Sequence, residues 1–75
     1  MMSALPVLRS SEVVAAFERL GGCVARQRGS HIIMVKEGSL STLAVPEHKE
    51  VAKGTLRSLI RAAGLTVHEF LDSFE

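Results

Sequence analysis

Apolar positions in this chain follow a helical period at both ends and alternate between them. Val13, Ala16, Phe17 and Leu20 fall at i, i+3, i+4 and i+7, the spacing of a helix with one buried face. Ser10 or Ser11 is the expected N-cap, because a hydroxyl there accepts an orphan amide proton of the first turn. Glu12 follows where the helix dipole favours a carboxylate, and Gly21-Gly22 supplies the stop. Residues 23–28 then read as a strand, with Val24, Arg26 and Arg28 on one side and Cys23, Ala25 and Gln27 on the other. Gly29-Ser30 is a two-residue turn signal. Residues 31–35, HIIMV, form the second expected strand, and a polar connection over 36–39 leads to a third at 40–45. Pro46 ends that ladder because it has no amide proton to donate.

Residues 47–52 are polar and irregular. A second helix is expected over 53–63, with Leu56, Leu59, Ile60 and Ala63 as its apolar stripe and Gly64 as its stop. Thr66-Val67-His68-Glu69 fits the capping box, in which Thr caps the N3 amide and Glu caps the Thr amide. It opens a short third helix carrying Phe70, Leu71 and Phe74. Residues 1–9 contain Pro6 and no period, and read as a loose lead-in to a single domain over 1–75. The connections between strands are of hairpin length, so the sheet is an antiparallel meander. Both long helices must cover the same face of it, because the only available apolar surfaces face each other. The expected fold class is α+β: an α-β-β-β-α layout with a three-stranded antiparallel sheet, helices on one face and a short C-terminal helix. That is the layout of double-stranded-RNA-binding domains (dsRBD-like), a likeness of fold and not of function.

A 75-residue chain buries only about 60% of the surface its unfolded form exposes. Function is therefore expected on the surface or in a shallow groove. The hydrophobic fraction of 47%, with three Phe and neither Trp nor Tyr, calls for a core built mainly of aliphatic side chains. Cys23 is the single cysteine, so no disulfide within one chain can form. The N-terminal residues lack a basic segment followed by a long apolar one, and no apolar run approaches the ~20 residues that span a bilayer. A soluble cytoplasmic protein, without membrane partners, is the expectation.

Net charge is +1, and its distribution says more than its value. Residues 19–61 hold eight basic and three acidic side chains, a local charge of +5, while the two ends carry −4. A basic middle suits a localised anionic partner. Lys53, Arg57 and Arg61 recur every four residues. Four residues advance a helix by about 400°, so these cations stay on one face over two turns. Like charges at that spacing cost a few tenths of a kcal/mol each. Phosphate binding offsets such a cost by counterion release, as would pairing with Glu47 or Glu50. Arg26 and Arg28 extend the basic surface toward the turn before His31, or simply solubilise an exposed strand face.

His31 stands where a turn feeds a strand. An imidazole accepts and returns a proton near neutral pH. RNA brings its own nucleophile, the 2′-hydroxyl, so cleaving it needs little beyond a proton acceptor, cations on the phosphate and correct placement. A structural reading stands beside this one: a strand-end histidine filling a hydrogen-bonding niche. His48, in the polar loop, is an auxiliary candidate as second proton carrier or phosphate ligand, and His68 lies inside the capping box. Three histidines 17 and 20 residues apart, one cysteine and no paired acids give no metal signature, and no cofactor motif occurs.

With these residues in place, the sequence resembles the HicA family of type II toxin–antitoxin systems over about residues 11–74. The resemblance rests on Gly29-Ser30-His31 before a strand, on Val45-Pro46 with His48 after the third strand, and on the stretch KGTLRSLIRAAGL from Lys53 to Leu65. It implies a small dsRBD-like toxin, an endoribonuclease that cuts messenger RNA without a metal or other cofactor and is neutralised by a HicB-type antitoxin in a hetero-oligomer. The family's catalytic histidine maps onto His31. RNA contacts are expected from Arg26, Arg28, Ser30, Lys53, Arg57 and Arg61. Two positions depart from the family pattern: many members have a second histidine where this chain has Ile32, and often a proline where it has Ala52. The alternatives to an endoribonuclease are a non-catalytic RNA-binding module and a protein-interaction module on the same fold.

Overall fold

The computed structural model describes residues 5–74, in the order α1 (Ser10–Arg19), β1 (Gly22–Arg28), β2 (His31–Lys36), β3 (Thr42–Pro46), α2 (Lys53–Ala62) and α3 (Val67–Asp72). The strands form an antiparallel meander, β1-β2-β3. This is the expected α+β layout. Alternation along β2 decides which face is covered. Met34, with Leu43 across from it, and Val45 across from Ile32 all enter the main core. They meet Val13, Ala16 and Phe17 of α1 and Leu56, Leu59 and Ile60 of α2. Both long helices therefore lie on one face. His31, Ile33 and Val35 point to the other face, which no helix covers.

Four local expectations change. Ser10 is the first residue of α1 and not its cap; the chain caps at Arg9, whose amide donates to Glu12 Oε1 at 2.9 Å. β1 carries a bulge: Val24 pairs with Met34 and Arg26 with Ile33, leaving Ala25 as the extra residue. Val24 thus lies on the helix-covered side while Arg26 and Arg28 lie on the open side, so the three do not share a face. β3 begins at Thr42 instead of residue 40. The Ser39 amide donates to the Lys36 carbonyl at 3.0 Å and the Ser39 hydroxyl accepts from the Ser41 amide at 3.2 Å, which draws this stretch into the turn and leaves Leu40 fully exposed. The lead-in is packed where it is described. Leu5 and Leu8 are buried in the core, and the Val51 amide donates to the Leu8 carbonyl at 2.8 Å. Residues 1–4 lie outside the described residues.

The C-terminal caps stand where expected, while α2 ends at Ala62 and α3 at Asp72, which leaves Phe74 beyond the third helix. Gly64, at φ +76°, closes α2 with a Schellman pair: the Leu65 amide donates to the Ile60 carbonyl (3.1 Å) and the Gly64 amide to that of Arg61 (3.0 Å). At α3 the Glu69 amide donates to Thr66 Oγ1 at 3.1 Å, and the Thr66 amide to Glu69 Oε1 at 2.8 Å. This box points α3 back across the helix layer. There Phe70 is fully buried, its ring centroid 5.2 Å from that of Phe17. No helix among the described residues is long and apolar enough to cross a membrane.

Candidate functional site at the end of the sheet

The β1–β2 turn is the smallest that can join two antiparallel strands. Arg28 and His31 are paired across it, with Gly29 and Ser30 between. Gly29 has φ +56°, and no non-glycine residue among those described has positive φ. Glycine at the first central position with an ordinary second residue is the type II′ arrangement, whose twist matches that of the strands. His31 is also paired on its other side, with Pro46 of β3. Its backbone is therefore flanked by both neighbouring strands.

The His31 ring is exposed and lies on the open face. With Arg28, Ile33 and Ala44 it lines a shallow hollow there. Arg28 is its direct cross-strand neighbour, and partners of this kind have Cβ atoms about 4.5–5.5 Å apart. Arg26, paired with Ile33, lies on the same face one step further along. Ile33 forms the floor of this patch and is buried although no helix covers it. Among the described residues no side-chain hydrogen bond engages the His31 ring, and neither Arg26 nor Arg28 enters an ion pair. A neutral imidazole so placed can take a proton from a ligand, and the guanidinium opposite can hold an anion beside it.

Lys53, Arg57 and Arg61 are exposed on α2, as expected. Their suggested pairing with Glu47 or Glu50 does not occur: among the described residues the one contact between a basic and an acidic side chain joins His68 Nε2 to Asp72 Oδ2 at 3.4 Å. Nor do Arg26 and Arg28 carry the α2 basic surface on to His31, the first of the two readings of those arginines. α2 packs on the covered face of the sheet and His31 opens from the other, so the cations form two groups on different layers. Arg26 and Arg28 belong with His31 and not with the α2 row. His48 is exposed in the loop after β3, where its carbonyl accepts the Ser10 amide at 3.1 Å. Ser30 contributes its carbonyl, which accepts the Glu47 amide at 2.7 Å.

The departure at Ile32 gains a structural meaning. Ile32 faces the helix-covered side, half-buried against the core, with Gln27 and Val45 as cross-strand partners. A histidine there would open onto the opposite side of the sheet from His31. Two residues to which the sequence assigned no role at this end also bear on it. Gln27 Nε2 donates to Glu47 Oε1 at 3.0 Å and to the Gly29 carbonyl at 3.2 Å. Nothing in the sequence marks that pair, because its partners lie 20 residues apart. A more enclosed cleft lies at the other end of the sheet, between Phe17, Leu20, Met34, Leu43 and Leu65. It is lined mainly by apolar groups, with Lys36, Ser39 and Ser41 as its polar members and no histidine or carboxylate. Among the described residues no three of His, Cys, Asp and Glu converge as a metal site would require.

No curated protein and no solved structure matches the chain. A family model does: the one described as the HicA toxin of bacterial toxin–antitoxin systems, matched over residues 10–65. The match begins with α1, runs through the three strands and α2, and ends just past the Gly64 stop. It takes in the His31 turn and the α2 cations together, and on that extent the chain belongs to the HicA toxin family.

Proposed function

We propose that this protein is a cytoplasmic endoribonuclease toxin of a single domain, cutting messenger RNA with His31 as general base and held inactive by a HicB-type antitoxin. The observation that carries the reading is the exposed imidazole at the sheet end, with Arg28 directly across the ladder and a hollow between them. Membership of a toxin family supplies the biological setting.

The chemistry is a transesterification. The 2′-hydroxyl gives its proton to a neutral His31 ring nitrogen while its oxygen bonds to the adjacent phosphorus. The bond from phosphorus to the 5′-oxygen breaks with its electron pair, and that oxygen takes a proton from solvent. The products are a 2′,3′-cyclic phosphate and a 5′-hydroxyl. Arg28 and Arg26 hold the phosphate on the open face, where positive charge offsets what accumulates on its oxygens. The Gly29-Ser30 turn brings the RNA backbone to the ring. Lys53, Arg57 and Arg61 contact phosphates further along the same strand, around the edge of the sheet. His48 is the auxiliary candidate to supply that proton to the leaving oxygen in place of solvent. The antitoxin acts by covering His31, and a complex that leaves the ring open to solvent counts against this.

The test is cleavage of a defined RNA by wild type and by His31→Ala, with the product ends identified. The reading expects cyclic phosphate ends from wild type and a loss of at least about 100-fold in the variant, the scale of a general base's contribution. Salt-sensitive binding without cleavage by wild type would instead identify a non-catalytic RNA-binding module.

A further inference from the structure

The turn that carries His31 is held from two directions by contacts that no part of the core requires. The Gln27 side chain, on the helix-covered side of β1, donates from Nε2 to the Gly29 carbonyl at 3.2 Å. The same nitrogen donates to Glu47 Oε1 at 3.0 Å. The Glu47 amide in turn donates to the Ser30 carbonyl at 2.7 Å. Both central residues of the turn are therefore tied down, one through Gln27 and the other through Glu47, and those two residues are tied to each other.

This clamp stands at the end of the β2–β3 ladder. His31 is paired with Pro46, which has no amide proton, so the pair is bridged by the flanking amides and the proline nitrogen faces away from β2. On the turn side the bridging bond is that of the Glu47 amide to the Ser30 carbonyl. Without the side-chain link, the segment after Pro46 is anchored to the turn by that bond alone. Gln27 and Glu47 are both exposed and outside the hydrophobic cluster, so their contacts contribute little to global stability. Their effect is local, on the orientation of a two-residue turn and of the histidine that follows it.

We infer that Gln27 and Glu47 are positioning residues, which hold the β1–β2 turn so that the His31 ring keeps its bearing on the open face. The inference rests on the reading of His31 as the base. Glu47 acts through an acceptor oxygen and not through its charge, since its partner is an amide. A misplacement of about 1 Å at a reacting group costs on the order of 100-fold in rate, so loosening the turn lowers kcat while leaving phosphate binding intact.

The test compares wild type, Gln27→Ala, Glu47→Ala and Glu47→Gln by NMR relaxation and by cleavage of a short RNA. Glu47→Gln keeps an acceptor for Gln27 and serves as the rescue. In Glu47→Ala and Gln27→Ala the backbone order parameters of Ser30 and His31 are expected to fall from ~0.85 toward 0.6, with the thermal midpoint almost unchanged. Their kcat falls roughly 10- to 100-fold at near-constant KM, and Glu47→Gln restores both readouts. Unchanged order in Glu47→Ala, or a rate loss that Glu47→Gln fails to rescue, overturns the assignment. The relaxation arm needs no activity. If His31→Ala still cleaves RNA, the base reading falls while the clamp is judged on turn order alone.

Discussion

Gly29 shows how one residue sets the geometry of the site. Its φ of +56° belongs to a region that L side chains rarely occupy, yet a Cβ placed there would meet nothing within 4 Å. The penalty for a side chain is therefore one of backbone and not of space. Gly29→Ala is expected to lower stability by about 1–2 kcal/mol, read as a drop in the urea midpoint with an unchanged slope. It should also reduce cleavage by more than the stability loss explains, because the turn that carries His31 changes shape. At this scale much was readable from sequence. Glycine before serine between two alternating runs is a hairpin signal, and it placed His31 correctly at the start of β2. The side on which the neighbouring cations fall was not readable. A bulge at Ala25 carries neither glycine nor proline to mark it, and it reverses the side of Val24 relative to Arg26. Alternation read across it put all three on one face. The Gln27–Glu47 contact was hidden for a related reason, being a product of strand register.

Elements with their own terminal signals folded where those signals stand. α3 has only six residues, too few to persist unaided, and the Thr66–Glu69 box defines its start. Thr66→Ala is expected to cost about 1 kcal/mol, seen as earlier thermal unfolding and faster exchange of the Glu69 amide. RNA cleavage should not change, since α3 packs on the layer away from His31. Elements whose bounds depend on tertiary contact were harder to read. Leu5 and Leu8 show no period, yet both are buried, because Val51 of the loop before α2 pairs with Leu8. A segment recruited by a single bridge leaves no local pattern. Leu40, apolar and next to a strand, reads as part of it, but the Ser39 turn takes it out.

At the scale of the whole molecule the main finding is the division of positive charge. One group, Arg26 and Arg28, shares the open face with His31; the other, Lys53, Arg57 and Arg61, rides on α2 across the sheet. Sequence showed the cations but could not show the layer each would occupy, which depends on how α2 docks. The division makes the two groups separable. Reversing charge at Arg57 and Arg61 is expected to weaken binding of a long RNA at least tenfold at low salt and to flatten its salt dependence. Cleavage of a di- or trinucleotide that reaches only the open face should stay within about twofold. Arg28→Ala should do the reverse, slowing cleavage of short and long substrates alike. Equal losses on both substrates from the α2 reversal would mean that one continuous surface serves catalysis.

The central claim is that an imidazole on the open end of a small sheet, fixed between Arg28 and Pro46, takes the proton from a ribose hydroxyl. The most direct measurement is the 3′ end left on a defined messenger RNA fragment by purified wild type and by His31→Ala. Cyclic phosphate ends with wild type and intact RNA with the variant are the predicted result. Equal cleavage by both proteins, or intact RNA with wild type, would contradict it.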